Sequence, residues 1–424
     1  MAVGQFGDIY ESAFKKENNM TENTKIELNK VTEYADFQSP GTIRFGNGSI
    51  QTLQDEIINL GVREVFIISD RGVVLAGLVD KLFHVLNPLG VKVETFNEIS
   101  GEPTFQDVQN ALDNVNDSNA DIVIGIGGGS AMDIAKASAA LYGKQNVEDY
   151  FSGERVIGKR TMGCILLPTT SGTGAEVTKN AIFGDEKQEI KRGIVSSNLL
   201  PDMAIIDPEL TLTCPQRVTA SSGIDAFTHA IESYISVNAS VQTRIYSEKA
   251  MQLFGESIVK AVHNGDDLDA RTQMSWVSLL AGTSLANAGV GAVHALAYPL
   301  GGKYHIEHGV ANALLMPFVF KVIGKTCTKD MKRVAELLNL EYVKNSNYGA
   351  LDAIVNYLYV LLEDLGLPTS LKKLDVKQSD LSNLAEQASK VVRLLANTPY
   401  KLSEEKILEI YESAFIGIER RSKE

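Results

Sequence analysis

Apolar positions along the chain change rhythm near residue 210. Between about residues 31 and 208, short β-rich runs alternate with amphipathic stretches: 64–69 (EVFIIS), 121–126 (DIVIGI), 164–167 (CILL) and 203–206 (MAII). Continuous apolar runs bounded by turn residues predict a parallel sheet covered on both faces. From 211 onward the spacing is helical, over 215–237, 241–263, 268–288 and 351–365, with few β-branched runs. Helix without strand over 200 residues predicts a helical second domain. The expected organisation is therefore an extension over 1–30, an α/β domain over 31–210 and a helical domain over 211–424.

Residues 15–30 (KKENNMTENTKIELNK) have little to bury and read as a flexible arm. Before them stands one internal echo, because IYESAF occurs at 9–14 and again at 410–415. Phe6, Ile9, Tyr10 and Phe14 share one helical face. The echo is either chance between two helix-forming stretches or a docking helix over residues 5–14, on a tether, for a larger assembly or a neighbouring subunit.

Composition removes several classes of function. The chain has 424 residues, 44% of them hydrophobic, enough for more than one core. Against 53 acidic residues there are 40 basic ones, a formal net charge of −13, which repels nucleic acid and anionic membrane surfaces. Cys164, Cys214 and Cys327 lack CxxC spacing, which argues against a disulfide framework and a thiolate zinc site and fits a reducing compartment. With no apolar run of membrane-spanning length and no signal-peptide pattern, the expected location is the cytoplasm.

Two segments suggest a dinucleotide. In 121–136 (DIVIGIGGGSAMDIAK), an apolar strand leads through Gly127, Gly128 and Gly129 into a helix-forming run, an arrangement suited to a pyrophosphate. It departs from the usual fingerprint, since Ser130 stands where a third glycine is needed. Ser130 and Asp133 also form a Ser-x-x-Asp capping pattern, which would explain both without a ligand. Asp70 ends the run EVFIIS, where it either accepts from ribose hydroxyls, favouring NAD over NADP, or caps the next helix. After CILL comes 168–178 (PTTSGTGAEVT), whose Thr169, Thr170, Ser171 and Thr173 could donate to phosphates or a nicotinamide amide.

A third constellation suggests a metal. Asp225 and His229 are four apart in GIDAFTHAIESY and so project from one helical face. His294 and His308 lie on either side of a Gly-Gly interruption in VHALAYPLGGKYHIEHGVANA. If the loop folds back, one Asp and three His form a set suited to a divalent transition metal.

The ordered motifs GGGSAMDIAK, PTTSGTGAEVT, GIDAFTHAIESY and HALAYPLGGKYHIEHGVANA resemble those of the iron-containing, or group III, alcohol dehydrogenases, over residues 39–415. The resemblance implies the dehydroquinate synthase-like fold, with an α/β NAD-binding domain, an all-α domain and the site between them. It implies Asp225, His229, His294 and His308 as ligands of Fe2+, sometimes Zn2+. It also places Gly127, Gly128, Gly129, Ser130 and Asp133 on the pyrophosphate loop, Thr169, Thr170 and Thr173 on a second cofactor loop, and Lys191 near the cofactor. Asp70 matches the position associated with NAD. One departure is Tyr298, where many members carry a histidine; it could donate a proton or narrow the pocket, and His305 could relay protons in its stead.

The implied activity is hydride transfer between NAD(H) and a small aldehyde or its primary alcohol, in a homodimer or larger homo-oligomer. Competing readings are a polyol dehydrogenase, a hydroxyacid-oxoacid transhydrogenase with permanently bound nicotinamide, and a non-catalytic assembly subunit.

Overall fold

A strand covered on both faces needs apolar side chains on both, and Val65, Phe66, Ile67 and Ile68 are all buried. The computed structural model describes residues 36–99, 101–185 and 190–417. Its strands are β1 (Thr42–Phe45), β2 (Glu64–Asp70), β3 (Lys92–Ile99), β4 (Ile122–Gly127), β5 (Gly163–Pro168), β6 (Asn180–Asp185), β7 (Ile190–Val195) and β8 (Met203–Ile206). Six of them form one sheet in the order β1-β8-β5-β4-β2-β3, parallel at every pairing, and β6 and β7 form a separate antiparallel hairpin.

The four apolar runs visible in the sequence are four of these strands. The edge strand β3 escaped that reading because only Phe96 and Ile99 in it are buried, and polar residues occupy most of the rest. Helices α1 (Leu53–Leu60), α2 (Leu78–Leu86), α3 (Phe105–Asp117) and α4 (Gly129–Ala140) cover the sheet. Alternation along β2 divides its core between two layers: Phe66 and Ile68 pack with Ala131 and Ile134, whereas Val65 and Ile67 pack with Leu53 and Leu82.

Beyond β8 the described chain is helical: α5 (Gln216–Ile235), α6 (Val241–His263), α7 (Leu268–Ala288), α8 (Ala292–Tyr304), α9 (His308–Ile323), α10 (Thr328–Leu337), α11 (Gly349–Asp364), α12 (Leu381–Ser389) and α13 (Glu404–Ile416), with shorter turns between them. From Gly223 to Ile235 every residue of α5 is buried. That makes α5 the central helix of its domain, which explains why its polar residues need partners inside the protein. Phe227 of α5 stacks on Phe254 of α6, with ring centroids 4.1 Å apart. Helices α7 and α8 meet at 100°, and among the described residues no single helix is long and apolar enough to cross a membrane. The IYESAF copy at 410–415 lies in α13, where Ile410, Tyr411 and Ala414 are buried; the copy at 9–14 lies outside the described residues.

The loop after β5 is pressed onto the helical domain. Gly174 has φ 60°, and a Cβ there would fall 2.5 Å from the Gly282 Cα of α7. Glycine therefore meets both a backbone and a packing requirement at this junction.

Candidate active site

The order of the sheet reverses between β2 and β4, since β3 lies outside β2 while β5 lies beyond β4. Parallel sheets bind ligands at the carboxyl ends of strands flanking such a reversal. Asp70 ends β2 and Gly127 ends β4, so both stand at this crevice. A Cβ on Gly127 would lie 2.8 Å from the Ala131 Cβ and 3.0 Å from Asp70 Oδ2, and one on Gly129 would lie 2.8 Å from the Thr173 Cγ2. Gly128 is the N-cap of α4 and supplies no side-chain cap. The positive end of α4 thus faces the crevice with backbone amides that a phosphate can accept from.

Three expectations need correction or refinement here. Ser130 and Asp133 do not form a capping box, because Ser130 lies within α4 and its Oγ is 3.5 Å from the Gly101 carbonyl. Asp133 instead pairs with Lys136 Nζ at 2.8 Å and accepts from the Ile182 amide at 3.0 Å. Its carboxylate is therefore committed to the protein interior, although the residue lines the cavity. Asp70 Oδ1 does cap the next helical turn, accepting from the Val73 amide at 3.0 Å, while Oδ2 lies beside Gly127.

The second loop is fastened to the first, since the buried Thr169 donates its amide to the Gly127 carbonyl at 2.9 Å. Thr170 faces Gly128, and Thr173 faces Gly129 and lines the cavity. Lys191, on β7, pairs with Glu102 at 2.8 Å and packs against Gly301. Burial would raise the Glu102 carboxyl, but the Lys191 ammonium outweighs it and holds the group below its ordinary value.

On the helical side, α5 carries Asp225 and His229, α8 carries His294, and His308 opens α9. Asp225 Oδ1 lies 3.7 Å from His229 Nε2, 3.7 Å from His294 Nε2 and 3.8 Å from His308 Nε2. These separations are too long for hydrogen bonds and near the ~3.4 Å between ligand atoms of a tetrahedral ion with ~2.1 Å bonds. Burial lowers the His229 pKa and pushes His308 down to about 3. Burial would raise the Asp225 carboxyl, but the neighbouring imidazoles and an amide donor outweigh it and bring it to about 2. Asp225, His229 and His294 bring one potential ligand atom each within 4.8 Å of one another, His308 stands 3.8 Å from Asp225, and the buried carboxylate is a negative charge that a cation would balance. The donor set therefore fits a divalent metal.

Two residues that hold this set were not singled out from the sequence. Glu232 accepts from the Val293 amide at 2.7 Å through Oε1, and its Oε2 lies 2.6 Å from His294 Nδ1. This pairing assigns the proton to Nδ1 and leaves Nε2 free as a ligand. Its signal was present, since Asp225, His229 and Glu232 recur on one face of α5. Asn312, one turn after His308, places its amide nitrogen 2.7 Å from Asp225 Oδ1, 3.2 Å from His294 Nε2 and 3.1 Å from His308 Nε2. It spans three of the four candidate ligands. Glu232→Gln is expected to weaken metal binding by about 10- to 100-fold, because its amide would favour the wrong His294 tautomer. Competition with a chelator measures this, and unchanged affinity would remove Glu232 from the ligand-orienting role.

One cavity of about 450 Å3 joins the two halves, lined by Gly129, Ser130 and Thr173 from the α/β side and by Asp225, His294 and His308 from the helical side. Tyr298 is buried in its wall, its ring centroid 6.1 Å from that of His308. Burial pushes its phenol to about 12, so it stays protonated at neutral pH. His305 is not brought to the site: it ends α8 in a left-handed conformation (φ 53°), is exposed and does not line the cavity. The relay expected of it lacks the required proximity.

Sequence profiles described as "Iron-containing alcohol dehydrogenase" and "Fe-containing alcohol dehydrogenase family, C-terminal" match residues 40–208 and 219–415. The chain is 40% identical to long-chain-alcohol dehydrogenase 1 of Geobacillus thermodenitrificans, over 89% of this chain and 96% of that protein. It superposes on a crystal structure of 1,3-propanediol oxidoreductase with a TM-score of 0.85 and 32% identity, covering 90% of this chain and all of that one. A sulfoacetaldehyde reductase from Bifidobacterium kashiwanohense, solved in complex with NAD+, gives a TM-score of 0.81 at 26% identity, covering 90% and 98% of the two chains.

Proposed function

Since this chain belongs to the iron-containing alcohol dehydrogenase family, we propose that its cleft exchanges a hydride between NAD(H) and a small aldehyde or its primary alcohol. Asp225, His229, His294 and His308 would hold the metal, Fe2+ or alternatively Zn2+. The observation that carries this reading is the ionised, buried Asp225 among three imidazoles, in the same cavity as the glycine turn that opens α4.

When bound, the ion supplies Lewis acidity to a carbonyl or alcohol oxygen, and the nicotinamide supplies or accepts the hydride. The protein's own residues provide orientation. Gly127, Gly128 and Gly129 admit a pyrophosphate to the amino terminus of α4, and the Thr169–Gly127 hydrogen bond keeps the second loop in register with the first. The Asp70 carboxylate at the end of β2 would repel a 2′-phosphate, which favours NADH over NADPH. Glu232 fixes the His294 ring, and Asn312 donates to Asp225. Tyr298, protonated at neutral pH, closes the wall beside His308 and can donate a hydrogen bond but cannot act as a base.

The test is NADH oxidation by anaerobically purified protein with a panel of short aldehydes, as metal-free enzyme and after adding Fe2+ or Zn2+. The expected result is turnover that appears only with metal and is lower with NADPH. Metal binding without turnover of any aldehyde, or of the corresponding alcohols with NAD, would contradict the reading. Turnover between hydroxy acid and oxo acid without added NAD would replace it with a transhydrogenase.

A further inference from the structure

The positive charges around the cavity are not equivalent. Lys191, in the cavity wall, and Lys136, buried behind it, are each paired at 2.8 Å with Glu102 or Asp133, whereas Lys179, also in the wall, donates to Gln38 Oε1 at 2.9 Å. Arg393, on the short helical turn Val392–Leu395, lines the same cavity and is solvent-exposed. Among the described residues, no carboxylate pairs with it. It lies near enough to Tyr298 for its charge to pull that phenol's pKa down against the push of burial. It reaches inward along the β6–β7 hairpin, where its Nη2 lies 3.6 Å from the place a Cβ on Gly193 would take.

A guanidinium has five N–H donors in a planar fork, a shape that matches the two oxygens of a carboxylate or sulfonate. Tyr298 neighbours His308, so Arg393 stands one side chain beyond the residue next to the ligand set. A short substrate whose reacting oxygen lies at Asp225, His229, His294 and His308 would present its far end toward this fork. On the reading above, the cofactor's pyrophosphate would sit elsewhere, at the amino terminus of α4.

We propose that Arg393 is a specificity-determining residue that reads an oxyanion, a carboxylate or a sulfonate, at the far end of a short aldehyde or alcohol. A neutral chain end would forgo the charge-assisted pair and leave the fork to water, and a quaternary ammonium would be repelled. The proposal rests on the aldehyde–alcohol reading for the placement of the reacting end.

Two measurements on the full-length, metal-loaded protein separate the ideas. Calorimetric titration in the presence of NADH compares 4-hydroxybutyrate with 1,4-butanediol, ligands of similar length that differ in terminal charge. The anion is expected to bind about 10- to 100-fold more tightly, an advantage lost in Arg393→Met and partly restored in Arg393→Lys. Steady-state kinetics should show the same order for succinic semialdehyde over 4-hydroxybutanal, carried by KM, with betaine aldehyde the poorest. Equal binding of the two titrants, or an anion preference that survives Arg393→Met, overturns the proposal. So does a loss of NADH affinity in Arg393→Met, which would assign the arginine to the cofactor. Absence of turnover with every aldehyde would count against the dehydrogenase reading, while the titration still decides the role of Arg393.

Discussion

His294→Ala is expected to abolish stable metal binding and to cut kcat/KM by at least roughly 1,000-fold, the scale of a Lewis-acid contribution of several kcal/mol. The imidazole does two things that no neighbour can replace. Its Nε2, 3.7 Å from Asp225 Oδ1, would complete the proposed ligand set, and its Nδ1 partners the buried Glu232 carboxylate. Removing it leaves Glu232 with only the Val293 amide at one oxygen, so some loss of thermal stability is expected as well. Metal content by mass spectrometry, read beside kcat/KM on protein verified as folded, checks the result. A variant that retained one equivalent of metal and most of its activity would exclude His294 as a ligand.

Lys136→Met should destabilise the α/β domain by about 3–5 kcal/mol, the usual cost of breaking a buried ion pair from one side. The Lys136 side chain is wholly buried and serves four partners: Asp133 at 2.8 Å, the Ala175 carbonyl at 3.0 Å, the Thr178 hydroxyl at 3.2 Å and the Asn180 carbonyl at 2.5 Å. These partners come from α4, from the loop after β5 and from β6, so one ammonium pins the glycine helix to both neighbours. Burial already pushes the Asp133 carboxyl upward against the pull of Lys136; without the lysine it would be driven toward its neutral form. Lys136→Met combined with Asp133→Asn should recover part of the loss, because the second change removes the stranded charge. Denaturant unfolding of the single and double variants measures both effects. A single variant within about 0.5 kcal/mol of the parent, the range of ordinary surface changes, would show the network to be dispensable.

Much of the fold was legible because burial imposes rhythm. Apolar runs such as EVFIIS and DIVIGI are strands covered on both faces, and their continuous hydrophobicity distinguishes them from amphipathic helix. What lacked a rhythm was missed: β3 is half exposed, and the β6–β7 hairpin carries Lys191 and Arg192. The capping pattern at Ser130 and Asp133 misled for a different reason. A local signal competed with a tertiary one, and the buried ammonium of Lys136 drew the carboxylate away from the helix end.

The site was legible where its residues share an element. Asp225 and His229 lie one turn apart on α5, and His294 and His308 joined them through an inferred fold-back. Glu232 belonged to the same helical face and could have been found by extending the periodicity one turn. Glu102 and Arg393 could not, because they approach the cavity from separate elements and only the fold brings them to its wall, Glu102 paired with Lys191. His305 illustrates the reverse error. Three residues from a ligand in sequence, it sits at the helix terminus and turns away, since closeness along the chain says little about direction where a helix ends.

The most direct test of the central claim is isotope transfer with metal-loaded protein, NADH deuterated at the transferable C4 position and a short aldehyde. Direct hydride transfer should deliver one deuterium to C1 of each alcohol formed, with no exchange into water and no transfer in the metal-free protein. Alcohol formed without deuterium, or labelled equally well after the metal is removed, would contradict the role assigned to Asp225, His229, His294 and His308.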